Sequence, residues 1–291
     1  MTERYFTKFP RMNYQNTSCT DITKRVIFDS ALKNKGSLFF DYTLKTNARP
    51  DLIAENYYED PYLEWMIFLN NGIVDPYYDW YMSDYEFTGF INSKYGSIDN
   101  AERKIAYYQL NWHINDFEIS VDYYENSLPS YFKKYYTPIY SYNDKILSYK
   151  RKQDKIVTNT NKIVNFTYNI ETGNTFAEGE ILNILSNSGA NIVGQCEILF
   201  SNNSNIKVKN VSGNVAMGNK IETLDTLHKA NINGYEVDYE NITEDEFVYW
   251  TPVSYYNIEL DKNEKNKNIS LIDNKYSLEI SEELRNLLKN V

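Results

Sequence analysis

The sequence is poor in the residues from which catalytic and metal centres are usually built: 2 cysteines, 2 histidines and only 11 glycines in 291 residues. Cys19 and Cys196 lie most of the chain apart, a spacing that makes neither a zinc site nor a redox pair. Both read as small apolar fillers. His113 and His228 stand in no HExxH, HxH or Cys/His pattern. There is no GxSxG elbow and no Walker-type loop, and so little glycine all but excludes backbone loops that cradle phosphate. Pairs of acids such as Glu59/Asp60, Asp75/Asp79 and Glu282/Glu283 read as solvated surface. The chain is therefore read as a non-enzyme with no cofactor and no metal.

Long apolar runs are missing too. The longest near the middle, Trp65 to Leu69, is far too short to cross a bilayer. The first fifteen residues lack the apolar stretch of a secretory signal. Nor is there an excess of positive charge: 30 Lys and Arg against 40 Asp and Glu leave −10, which argues against a nucleic-acid partner. The one basic stretch, Lys145 to Lys155, reads as a solvated linker face. With 42% hydrophobic and 24% charged residues the chain can bury a core. The expectation is a soluble folded protein made inside a cell, with no membrane partner.

Tyrosine is abundant, at 28 residues, and it comes in doublets: Tyr57-Tyr58, Tyr77-Tyr78, Tyr107-Tyr108, Tyr123-Tyr124, Tyr135-Tyr136 and Tyr255-Tyr256. Rings with a polar tip suit half-buried surfaces and protein contacts, which leans towards an assembly protein.

Along the chain the expected class is α+β. Residues 1–36 read as an N-terminal arm carrying Tyr5, Phe6 and Phe9 before Pro10, with Thr20 to Phe28 a strand or a short helix. Residues 37–112 begin with a strand in which Phe40, Tyr42 and Leu44 alternate with polar residues. Helices follow after Pro50 and Pro61, the second apolar nearly all round and stopping at Asn70-Asn71-Gly72. An extended lead-out, Ile73 to Trp80, and helices at 84–95 and about 99–110 complete the region. Residues 113–155 read as a connecting α+β segment, with strands at 117–124 and 135–142 and a polar boundary from 143. Residues 156–235 form a β-rich domain, a small barrel or sandwich with strands at 162–170, 178–185, 191–200, 205–211 and 220–224. Within it Gly173–Ile181 weakly repeats as Gly213–Ile221. Residues 236–291 read as a strand at Tyr256, Ile258 and Leu260, a hairpin loop, a partner strand Ile269–Ile272, and a last helix with Ile280, Leu284, Leu287 and Leu288 on one side.

The run Arg49-Pro50-Asp51-Leu52-Ile53-Ala54-Glu55-Asn56-Tyr57-Tyr58-Glu59-Asp60-Pro61-Tyr62-Leu63-Glu64-Trp65 resembles the helical half of a LysM module. With its continuation, Asn70-Asn71-Gly72-Ile73-Val74-Asp75-Pro76-Tyr77-Tyr78-Asp79-Trp80, it resembles the baseplate wedge proteins of contractile-tailed bacteriophages. The arm and the segments Tyr255–Glu259 and Asn263–Lys265 fit the same family. The resemblance implies a LysM-like βααβ module and a structural virion protein, made in the host cytoplasm. It would link neighbouring wedges and contact other wedge and hub-proximal proteins. Partner-facing roles then fall to Tyr5, Phe6, Phe9, Tyr77, Tyr78 and Trp80, with Trp80 equally placed to close the core. A LysM-like fold also raises peptidoglycan binding as the alternative, in a groove near Thr46-Asn47-Ala48 and Leu69–Val74, where Ala48-Arg49-Pro50-Asp51 replaces the usual Gly-Asp-Thr turn.

Overall fold

The computed structural model describes residues 4–24, 26–27, 38–170 and 174–289. The chain divides into two compact units, residues 1–96 with 258–291, and residues 97–257. It leaves the first unit after Gly96 and returns to it at Ile258.

The first unit opens with a short 3-10 turn, Tyr5–Lys8, which ends ahead of Pro10. A two-stranded hairpin follows, β1 (Arg11–Tyr14) and β2 (Thr17–Thr20). Its two loop residues, Gln15 and Asn16, both take positive φ (47° and 63°), as the tightest hairpin turns require. Of the segment read as strand or helix, Thr20 ends β2, residues 21–24, 26 and 27 are irregular, and Arg25 and Phe28 lie outside the described residues. Strand β3 (Phe39–Thr43) is present, but Phe40 and Tyr42 stay largely exposed and only Leu44 beyond it is buried. Helix α1 (Pro50–Tyr58) starts with proline in its first turn and Asp51 paired to Arg49 at 2.5 Å. After a 3-10 turn capped by Asp60, helix α2 (Glu64–Asn71) buries Trp65, Met66, Ile67 and Asn70, the nearly all-round apolar helix read from sequence. Residues 73–80 leave α2 through turns, with no extended segment between Ile73 and Trp80. Helix α3 (Asp84–Tyr95) begins with a reciprocal Ser83–Glu86 capping box and buries Phe87 and Ile91.

In the second unit the helix expected at 99–110 is split. Helix α4 (Ile98–Arg103) stops, and Ile105–Leu110 becomes strand β4, with Tyr108 and Leu110 buried in alternation. The strand expected at 117–124 is reduced to β5 (Glu118–Ser120), followed by a π-helical turn, Tyr123–Ser127. Helix α5 (Ser130–Lys133) and strand β6 (Tyr136–Tyr140) come next. The supposed polar boundary is strand β7 (Ile146–Arg151), the centre of a β5-β7-β6 sheet. Its cations are used locally. The Arg151 guanidinium sits 4.8 Å over the Trp112 ring, the Lys150 ammonium 4.8 Å over Phe117, and Lys152 donates to the Lys134 carbonyl at 2.7 Å. Alternation hid this strand because its buried face is a single tyrosine, Tyr149.

Strand β8 (Val157–Thr158) leads into β9 (Lys162–Ile170), β10 (Ile181–Leu185), β11 (Ile192–Ser201), β12 (Asn205–Gly213), β13 (Lys220–Thr223) and β14 (Lys229–Glu240). These last six close into an antiparallel barrel, ordered β10-β11-β12-β9-β14-β13. Its interior is filled by Phe166, Tyr168, Leu182, Ile184, Ile198, Ile206, Val208 and Ile221, among others, so it is a packed core rather than a channel. The weak repeat has a structural counterpart. Glu180 N bonds Ala177 O at 3.3 Å and Asn219 N bonds Ala216 O at 3.2 Å. Gly179 and Gly218, third in each turn, take φ of 82° and 87°, which L-residues rarely adopt. In both, the acceptor side chain of the fourth residue takes the first residue's N–H. Gly173 itself lies outside the described residues. Helix α6 (Glu244–Phe247) and strand β15 (Trp250–Ser254) finish the unit, β15 joining a β15-β4-β8 sheet.

Helix α7 (Tyr255–Asn266) then carries the chain back. The alternation of Tyr256, Ile258 and Leu260 had suggested a strand, and this is corrected: five alternating residues are too few to fix a period when helix formers follow. In the first unit α7 is anchored by Asn263, which accepts from Met82 N (2.8 Å) and donates to Met82 O (3.0 Å). Strand β16 (Asn268–Ile272) exists as expected, but its partner is β3, in antiparallel register Asn268↔Thr43 to Ile272↔Phe39. The C-terminal strand–hairpin–helix is thus replaced by helix, strand and helix, the last being α8 (Ser277–Lys289). The strand that completes the β3 sheet therefore comes from the far end of the chain, and no strand directly follows α2.

Candidate interaction surface

The loop after α2 is held from within by two acids. Asp75 Oδ1 accepts from Tyr77 N at 3.0 Å, and Asp79 Oδ2 accepts from Asp75 N at 3.1 Å and Val74 N at 3.3 Å. Asp79 N returns to Asp75 O at 2.8 Å. The second Asp79 oxygen pairs with Lys262 Nζ at 3.1 Å. Backbone donors and then the Lys262 ammonium hold the Asp79 carboxyl below its ordinary range. Asp75 and Asp79, read as solvated acids, are the fasteners of this loop. The readable signal was an Asp-Pro-x-x-Asp spacing about a turn, since aspartate side chains bond backbone donors a few residues on.

What the fastened loop presents is aromatic. Tyr77 is 85% exposed and Tyr78 54%, with the Tyr78 ring 5.6 Å from Phe90. Trp80 points the other way: it is 9% exposed, its indole N–H donates to the Ala48 carbonyl at 2.8 Å, and its ring meets Phe68 edge-on at 6.1 Å. Its place is the core beside Ile53, Ile67 and Leu271. The Ala48 turn, one side of the groove assigned to sugar by the LysM resemblance, is thereby tied to Trp80. A cleft of about 900 Å³ lies between the loop and α3, with Tyr78, Tyr81, Met82 and Phe90 among its walls.

The arm residues are seated on the same unit. Tyr5 stacks on Trp65 at 5.4 Å, Phe9 is buried with Met66, Leu284 and Leu288, and Lys8 Nζ donates to Ser281 Oγ at 2.5 Å. Phe6 remains 57% exposed. It lines a second groove, about 830 Å³, whose other walls include Phe68, Val74 and Pro76. Pro76 borders both clefts, so the groove lined by Phe6 and the cleft lined by Tyr77 and Tyr78 meet at this loop. Tyr85, 89% exposed, adjoins in sequence the α3 residues lining the first cleft; nothing in the doublet pattern marked it.

Elsewhere the reactive residues are occupied structurally. Burial pushes the Cys196 thiol pKa up. The His228 ring nitrogen Nδ1 lies 2.5 Å from Thr175 O. Among the described residues no group of three or more His, Cys, Asp or Glu could hold a metal ion, and no helix is long and apolar enough to cross a membrane.

Compared with known proteins, residues 4–138 match the family model described as base plate wedge protein 53, a phage family. The match confirms the baseplate wedge resemblance over those residues and supports a structural role in the baseplate. It spans the arm, β3, α1 to α3 and the loop with Tyr77 and Tyr78, and it ends before the barrel. No curated protein matches the chain. The family match lends no support to the peptidoglycan-binding alternative.

Proposed function

We propose that this chain links neighbouring wedges of a contractile phage tail baseplate, docking on other wedge or hub-proximal proteins through Phe6, Tyr77 and Tyr78. The observation that supports this reading is the fastened loop: two exposed tyrosines on a turn held by six hydrogen bonds or ion pairs from Asp75 and Asp79. Aromatic anchors already fixed in place lose little conformational entropy on binding and tend to dominate interface energetics. Tyr5, Phe9 and Trp80 act beneath that surface, as the packing that holds it. The role is one of scaffold, with no catalytic step.

Quantitative mass spectrometry of purified tail particles, with the sheath protein as internal reference, tests the reading. A copy number that is a small fixed multiple of the wedge number is expected. Absence from particles would overturn the reading. Tyr77→Ala with Tyr78→Ala should leave the free protein folded and lower its incorporation at least tenfold; unchanged incorporation would remove the loop from the interface.

A further inference from the structure

Strand β14 is longer than the barrel needs. Strand β13 pairs with it only over Lys229–Asn231, and the last bonds on that side join Ile232 to Asn219 and Gly218. From Gly234 to Glu240 its other side still pairs with β9, but among the described residues no strand covers the outer edge. Every residue from Tyr235 to Glu240 is exposed, Tyr235, Val237 and Tyr239 at 45%, 41% and 48%. An open edge with apolar residues at every second position is a template for another strand.

The charge on this edge chooses among occupants. Glu236, Asp238 and Glu240 alternate with the apolar residues. Asp238 pairs with Lys207 at 2.5 Å, whereas Glu236 and Glu240 have no ion-pair partner among the described residues. A second copy adding the same edge would bring like acids together across the ladder, which is destabilising. A strand with Lys or Arg between apolar residues would meet opposite charge at those positions and apolar side chains at the others.

We propose that the outer edge of β14, Gly234–Glu240, receives an extended basic segment of a partner protein by strand addition, the main chain supplying affinity and the glutamates selecting the partner. Bulges fall between Ile232 and Gly234 and between Val237 and Tyr239, so Gly234–Val237 is the unbroken stretch that sets the partner's register. The site lies outside residues 4–138 and does not depend on the wedge-linking role.

The test uses the full chain and acetylated dodecapeptides in which Lys or Arg alternates with Val, Ile or Tyr. Binding is measured by fluorescence anisotropy, and the contact is located by amide hydrogen exchange. At least one such peptide should bind and slow exchange at residues 234–240, while its glutamate-for-lysine counterpart binds at least tenfold more weakly. N-methylation along one edge of the peptide should abolish binding, and along the other edge leave it intact, since only one edge can pair with β14. Glu236→Lys with Glu240→Lys should reverse the charge preference. The proposal is overturned if no basic peptide binds at millimolar concentration, if both N-methylated forms bind equally, or if protection falls outside β14.

Discussion

Tyr58 and Ile272, 214 positions apart, are joined by a single hydroxyl: Tyr58 Oη donates to Ile272 O at 3.0 Å and accepts from Ile272 N at 3.1 Å. Two strand residues earlier, Asn71 does the same with Ser270, donating to its carbonyl and accepting from its N–H, both at 2.8 Å. Asn70 adds a second donor to Ser270 O at 2.8 Å. The side of β16 turned away from β3 is thus satisfied by side chains from α1 and α2. A two-stranded sheet is marginal alone; here two helices take the place of a third strand.

Tyr58→Phe keeps the ring and removes both bonds, leaving a buried N–H and carbonyl unpaired. A loss of about 2 kcal/mol is expected in the unfolding free energy of the first unit, read by urea denaturation. Asn71→Leu should cost less, about 1 kcal/mol, since Asn70 still donates to the Ser270 carbonyl and only the Ser270 N–H is left unpaired.

Trp80→Ala separates core from surface. Emptying a buried indole site costs about 3–5 kcal/mol, so the thermal midpoint should fall by many degrees, while Tyr77→Ala should leave it nearly unchanged. Calorimetry on the two variants checks both halves of the statement.

The Asp79 carboxyl carries a pH dependence. Its folded pKa lies below the unfolded value, so its contribution is full above about pH 4 and is lost as pH falls through the lower folded pKa. The wild type should therefore lose more stability between pH 7 and pH 3 than Asp79→Asn does. Urea midpoints at the two pH values measure the difference, and equal losses would refute it.

In the barrel, Gly213 faces Gly194 across β11 and β12. A Cβ on Gly213, at φ 78°, would stand 2.0 Å from Val193 O. Gly213→Ala should cost about 2–3 kcal/mol, as overpacking and backbone strain combine. Gly179→Ala, at φ 82° with nothing within 4 Å of its Cβ, carries the backbone term alone, about 1–2 kcal/mol. Thermal melts followed by circular dichroism compare the two.

Local chemistry made much of this legible. The Pro50 and Pro61 starts, the apolar turn of α2, the stop of α3 at Gly96 and β9 over 162–170 follow from caps, turns and alternation. Failures arose where the deciding partner is remote. Tyr256–Leu260 alternates yet is helical, anchored through Asn263 to Met82. Lys145–Lys155 has the exposed lysines read from sequence but is a strand rather than a linker, because nothing nearby in sequence announces the rings of Trp112 and Phe117 over which Arg151 and Lys150 lie. Of the candidate surface, the aromatic residues were readable. Which of them face outward was not: Tyr77 and Trp80 sit three apart in one turn, and the Ala48 carbonyl decides which one turns inward.

The origin of β16 also sets an order of birth. Residues 97–257 are continuous, so the second unit can fold as soon as it has left the ribosome. Strand β3 and its two helices, though made first, wait without a strand partner until Ile272 has emerged. A chain terminated early carries a finished barrel on an open first unit, with Tyr58 and Asn71 facing nothing they can bond.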